Sequence, residues 1–96
     1  MAIVLDHTIV PAKDKVASAK FFAEIFGLKV KPGEGYFAQV QINESLTFDF
    51  ADEPEPQSHH YAFHISEAEF EAIFGRVKTK GLPYGSEPYN WVRSRL

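Results

Sequence analysis

Leu5-Asp6-His7-Thr8-Ile9-Val10 reads as a strand carrying a histidine, and a helix-forming segment follows it as far as Phe26-Gly27-Leu28. His59-His60-Tyr61-Ala62-Phe63-His64-Ile65 reads as a second such strand, with a second helix-forming segment that ends at Lys80-Gly81-Leu82. His7 lies 20 positions before Gly27, and His60 lies 21 before Gly81. A strand-helix unit repeated with a histidine near the start of each strand points to two modules that present ligands to one shared site. After the first helix the chain runs on into three more strand-like segments, whereas only 15 residues follow Gly81.

Outward from the first strand, residues 2–10 alternate around β-branched residues, the pattern of a half-buried strand. Leu5, His7 and Ile9 share one face; Val4, Asp6, Thr8 and Val10 share the other, so parity turns Asp6 away from His7. Pro11 is the expected end of the strand. Residues 14–26 are helix formers with Val16, Ala19, Phe22, Ala23 and Phe26 at spacings of three and four, one apolar stripe for a core. Gly27 suits the left-handed position after a helix, with Leu28 packing back. Lys29-Val30-Lys31 is a short strand, cut by a Pro32-Gly33-Glu34-Gly35 turn. Tyr36 to Ile42 is a strand, Asn43-Glu44 a tight connection, and Leu46-Thr47-Phe48-Asp49-Phe50 a strictly alternating strand. Its apolar residues face the helix and leave Thr47 and Asp49 on the opposite side. Residues 1–51 thus form a βαβββ module.

Residues 52–58 are polar and broken by prolines, which suits a linker or, equally well, a long surface loop. The second module, 59–96, begins with a strand that puts Tyr61, Phe63 and Ile65 on one face and His60, Ala62 and His64 on the other; His59 points away from His60. Ser66 and Glu69 have the spacing of a capping box. The helix over 67–80 carries the stripe Phe70, Ile73, Phe74 and Val77; Gly81 caps it and Pro83 prevents continuation. Trp91-Val92 offers the start of a further strand. The expectation is one domain in which the second module is incomplete.

Ninety-six residues suffice for one core that buries roughly 60–70% of the unfolded surface. A net charge of -3 gives no electrostatic case for nucleic acid or an anionic membrane. Zero cysteines exclude disulfides, thiolate metal sites and cysteine nucleophiles, and they suit a cytoplasmic location. No apolar run reaches membrane-spanning length. Nine phenylalanines are a surplus for so short a chain, and their spacing assigns most of them to packing.

Alone, a histidine on a half-buried strand is more often a packed or surface residue than a ligand. His7 and His60 gain weight because they occupy matching positions in two copies of one unit, and neutral imidazole is a common ligand for Zn, Ni, Fe and similar ions. His64 shares the His60 face and is a deeper candidate. Such an ion needs a third and usually a fourth donor, commonly a carboxylate. In the first module Asp49 is the acid whose parity aims it at the site, the other reading being a solvated strand-end aspartate; Glu44 lies in a turn. Phosphate-binding loops, nucleophile elbows and His-Glu-x-x-His are absent. Ser66 is better explained as a cap than as a nucleophile. The acidic stretch 52–55 lacks a calcium-loop pattern and reads as solvated.

Leu5-Asp6-His7-Thr8-Ile9-Val10-Pro11 with Ala19-Lys20-Phe21-Phe22-Ala23-Glu24-Ile25-Phe26-Gly27-Leu28 resembles the opening of the vicinal oxygen chelate superfamily. That group contains glyoxalases, bleomycin resistance proteins and extradiol dioxygenases. His60-Tyr61-Ala62-Phe63-His64-Ile65 with Glu69-Phe70-Glu71-Ala72-Ile73-Phe74 resembles the start of its second module. The resemblance implies an α+β fold: a βαβββ module followed by an incomplete second one, with a curved mixed sheet enclosing a cavity. It also implies a divalent metal (Zn, Ni, Fe or Mn) held by residues on the first and last strands of each module. His7 and His60 match the opening ligands, and Asp49 is the chemically competent residue where the first module's closing ligand falls. The family's closing Asp-Pro-x-Gly … Glu-Leu segment has no match in Tyr89-Asn90-Trp91-Val92-Arg93-Ser94-Arg95-Leu96, which leaves truncation, divergence or a partner subunit as alternatives. The expected protein acts as a metal-dependent lyase, isomerase or dioxygenase on a small molecule with vicinal oxygens. The alternative is a non-catalytic, drug-sequestering binding protein. A homodimer is expected in either case, since a partner can cover an open cavity face and an unpaired strand edge.

Overall fold

Strands β1 (His7–Ala12), β2 (Ala38–Gln41) and β3 (Thr47–Asp52) and helices α1 (Lys15–Phe26) and α2 (Glu67–Thr79) run in the order β1-α1-β2-β3-α2. They are seen in a computed structural model that describes residues 3–32 and 35–85. The chain divides into two compact units, Met1–Ser58 and His59–Leu96.

In the first unit the three strands form a mixed sheet of order β1-β3-β2. β1 lies parallel to β3 with His7 opposite Thr47 and Ile9 opposite Asp49. β2 lies antiparallel to β3 with Gln39 opposite Asp49 and Gln41 opposite Thr47. The 29–31 segment, expected as a strand, contributes only a bridge from Val30 to Val40, reinforced by the Lys31 amide donating to the Gln39 carbonyl at 2.8 Å. The turn expected at residues 32–35 lies partly outside the described residues.

β1 departs from expectation at both ends. Residues 3–6 stay outside the ladder because β3 begins only at Thr47, opposite His7; the last contact there is the Thr47 amide donating to the Asp6 carbonyl at 3.0 Å. Ile3, Val4 and Leu5 are accordingly exposed. Pro11, expected to end the strand, remains inside it opposite Ala51. β1 is an edge strand of this sheet, where a residue without an N–H costs no ladder bond on its outer side.

α1 starts at Asp14, whose carboxylate accepts from the Ala17 amide at 3.1 Å, and ends at Gly27 with φ 71°. The Leu28 amide then returns to the Ala23 carbonyl at 2.8 Å. Asp52, at the end of β3, also holds the helix start by accepting from the Lys15 amide at 2.9 Å. Strand parity puts Phe48 and Phe50 on one face, and α1 covers that face. The Phe22 ring lies 5.3 Å from Phe48, 5.8 Å from Phe50 and 4.4 Å from Phe26. Ala19, Ala23, Ile25, Val40, Phe48 and Phe50 are buried. The small alanines let the helix approach the sheet. Val16 and Phe21 are not part of this core: both are nearly half exposed, and Ile25 takes the inward place.

In the second unit Ser66 and Glu69 form the reciprocal capping box (3.2 and 2.9 Å) at the start of α2. Gly81 follows the helix with φ 68°, and the Leu82 amide donates to the Val77 carbonyl at 3.2 Å, closing the last turn. Phe74 meets Phe70 at 5.4 Å and Tyr84 at 5.0 Å edge-on, with the Lys78 ammonium over its ring. No residue of α2 is fully buried. Residues 62–65 keep the expected alternation as burial, with Phe63 and Ile65 half-buried and Ala62 and His64 exposed; Tyr61, expected on the Phe63 side, is exposed like His60, and 59–65 join no ladder among the described residues. A strand exists by its pairing, and no described segment of this unit runs alongside it. The strand start expected at Trp91-Val92 lies outside the described residues.

Candidate functional site

The ladder register fixes what lies on the sheet face that α1 leaves uncovered. His7, Thr47 and Gln41 form one row across β1, β3 and β2; Ile9, Asp49 and Gln39 form the next. Four of these six side chains are joined in pairs across β2 and β3. Gln39 Nε2 donates to Asp49 Oδ1 at 2.9 Å, and Thr47 Oγ1 donates to Gln41 Oε1 at 3.3 Å. These are the register partners themselves, so the bonds follow from the antiparallel alignment.

Asp49 is the buried charged residue of the described chain, 6% exposed. It takes a single hydrogen bond there, from a neutral amide. A buried carboxylate ordinarily gathers two or three donors or an opposite charge. No fully buried side-chain oxygen or nitrogen lacks a partner among the described residues, so Oδ2 keeps contact with solvent. Asp49 is thus aimed at the face where sequence parity put it, and it is not a solvated strand-end aspartate.

His7 is more open, its side chain 56% exposed. Asp6, expected to point away from it, instead lies 2.8 Å from the ring, Oδ2 to Nδ1. The parity argument fails because Asp6 precedes the ladder, and unpaired backbone is not held in the pleat. A carboxylate only accepts, so Nδ1 carries the proton and Nε2 of the neutral ring presents its lone pair. The Asp6 bond holds the His7 pKa above its ordinary 6.5; desolvation opposes that rise in part, and the charges of Asp49 and then Asp6 add to it.

Strand spacing and rise put the Cα atoms of His7 and Asp49 about 8 Å apart, diagonal neighbours on one face. An imidazole and a carboxylate both reach a common point at that separation. Their donor types suit a borderline divalent cation, and each of the two side chains already has a hydrogen-bond partner behind it, Asp6 or Gln39. They are two of the three or four donors such an ion needs. No three His, Cys, Asp or Glu side chains gather as a metal-holding group among the described residues.

In the second unit His60 and His64 are exposed, on the side away from Phe63 and Ile65. The His59 ring lies instead 6.1 Å from Tyr61, whose hydroxyl pKa is raised by burial. Glu44 sits in the Asn43–Leu46 turn, where the Asn43 side chain accepts from the Ser45 and Leu46 amides at 2.9 Å each. Ser66 is a cap, as expected. Gln39, Gln41 and Asp6 carry the site's polar contacts and were not legible as site residues. Gln39 and Gln41 could have been found from their alternation with Ala38 and Val40 on a strand facing Asp49 and Thr47.

No protein-family model matches the chain, and no curated protein matches it significantly. Among solved structures it is similar to the oxidase ChaP-H2, at 46% identity and a TM-score of 0.86, covering 93% of this chain and 71% of that one. It is also similar to the oxidase ChaP-H1, at 42% identity and a TM-score of 0.83, covering 91% and 71%. A possible glyoxalase from Bacillus cereus matches at 27% identity and a TM-score of 0.62 over 83% of this chain and 76% of that one. The βαβ-β order, the parallel pairing of first and last strands and these similarities agree: the chain belongs to the vicinal oxygen chelate superfamily, the group of glyoxalases, bleomycin resistance proteins and extradiol dioxygenases.

Proposed function

We propose that this protein is a divalent-metal-dependent enzyme acting on a small molecule with two adjacent oxygens, as a lyase, isomerase or dioxygenase. The observation that supports it is the pairing of His7 Nε2 and Asp49 Oδ2 on one sheet face, both without a protein hydrogen-bond partner among the described residues. By the family resemblance alone, His60 is the candidate ligand of the second unit. A cation bound there supplies Lewis-acid polarisation of adjacent substrate oxygens. The chain's own residues do the rest: Asp6 holds the His7 tautomer and Asp49 brings the negative charge. Similarity to proteins named as oxidases and as a possible glyoxalase is in keeping with such chemistry.

A second reading is favoured by the absence of a three-donor group among the described residues. It is a metal-free, dimeric small-molecule binder of the drug-sequestering kind. Metal analysis of the purified protein, repeated on His7→Ala and His60→Ala, separates the two. Stoichiometric Zn, Ni, Fe or Mn that is lost in either variant is the expected result. Metal-free protein that still binds compounds with adjacent oxygens overturns the first reading in favour of the second. A size measurement tests the homodimer, and a stable monomer removes it from both.

A further inference from the structure

Gln39 occupies an unusual position. Its Cα stands opposite Asp49 in the β2–β3 register, and its carbonyl, turned to the outer side, accepts from the Lys31 amide at 2.8 Å. Its side chain is therefore projected from a rigid base across the strand to Asp49 Oδ1 at 2.9 Å. Since a carboxylate only accepts, the amide must present its NH2 there, and the contact is directional.

That bond alone is a poor way to stabilise a buried carboxylate. One neutral donor leaves most of the desolvation cost unmet, and an apolar pair of similar shape packs a sheet at least as well. The bond does achieve an orientation. With Oδ1 tied toward β2, Oδ2 is the oxygen left for the β1 side, where His7 stands in the neighbouring row. In that row the Thr47 hydroxyl donates to Gln41 Oε1 and Gln41 Nε2 donates to the Asn43 carbonyl at 2.6 Å, so neither donor competes for Oδ2.

We propose that Gln39 is a positioning residue that fixes the Asp49 carboxylate so that Oδ2, and not Oδ1, is offered to a cation. This rests on the reading of Asp49 as a ligand. Ligands are oriented by such outer partners, and removing one typically weakens metal affinity about 10–100-fold.

The test is titration of the full chain with Co²⁺, reading both the dissociation constant and the visible absorption of the bound ion. Wild type is compared with Gln39→Met, which keeps length without a donor, and Gln39→Asn, which keeps the amide but falls one methylene short. Asp49→Asn is the reference for loss of the ligand. Both Gln39 variants are expected to weaken Co²⁺ binding about 10-fold or more and to change its absorption spectrum, with Gln39→Asn carrying the result should Gln39→Met fail to fold. If Asp49→Asn loses binding while folded Gln39 variants keep wild-type affinity and spectrum, Gln39 merely satisfies a buried oxygen and the inference is overturned. If Asp49→Asn binds Co²⁺ as wild type does, or wild type binds none, the ligand reading itself fails and this inference goes with it.

Discussion

Replacing Asp49 by asparagine separates a carboxylate kept for the fold from one kept for chemistry. Asparagine retains the Oδ1 acceptor for Gln39 Nε2, so the bond survives as a neutral one. The change from a charge-assisted bond to a neutral bond loses about 1 kcal/mol. Against this stands the penalty for burying an ion, up to several kcal/mol for a fully buried one and less here because Oδ2 keeps contact with solvent in a residue 6% exposed. The two terms leave the variant at least as stable as wild type in the absence of metal. At about 4–8 °C per kcal/mol for a chain of this size, its melting temperature in EDTA is expected to be unchanged or higher. Addition of Co²⁺ at 100 times its dissociation constant should stabilise wild type by about 2.7 kcal/mol, roughly 10–20 °C, and the variant by almost nothing. The assay is thermal unfolding followed by circular dichroism, with and without the ion. A fall of more than about 8 °C for Asp49→Asn in EDTA refutes the reasoning, since the carboxylate then holds the sheet together. Residues retained for function at a cost in stability are a familiar pattern in enzymes.

Two further perturbations test the surrounding structure. Phe48→Ala removes a ring packed against Phe22 and Phe50 at a 3% exposed position; it should cost about 3–5 kcal/mol in urea unfolding, and a loss below 1 kcal/mol would mean that α1 does not cover this face. Asp6→Asn removes the main cause of the raised His7 pKa, so NMR titration of the ring should show it dropping toward 6.5. Because the folded value is the higher one, the stabilisation from this contact is complete below 6.5 and is lost as pH rises through the folded pKa. The variant should flatten that part of the stability profile, and an unchanged ring pKa would show that Asp6 does not hold His7.

The sequence by itself determined the two helices and how each is bounded. Asp14, Ser66 with Glu69, Gly27 and Gly81 mark helix ends through short-range hydrogen bonds and left-handed backbone, which need no distant partner. Alternation alone put Phe48 and Phe50 against a helix and Asp49 on the opposite side, because strand parity is a local property. Parity misplaced Asp6, and spacing misassigned Val16 to the core.

Register was a matter for tertiary structure. Which residue of β1 faces which residue of β3 depends on pairing between segments some 40 positions apart, and that pairing decided where β1 begins and why Pro11 is tolerated; the β2–β3 register decided that Gln39 reaches Asp49. The reason is physical: periodicity fixes the side of a strand on which a side chain lies, whereas its neighbours are set by long-range hydrogen bonding. His7 and Asp49 were visible as separate candidates from their residue types, and only the parallel β1–β3 ladder made them neighbours on one face.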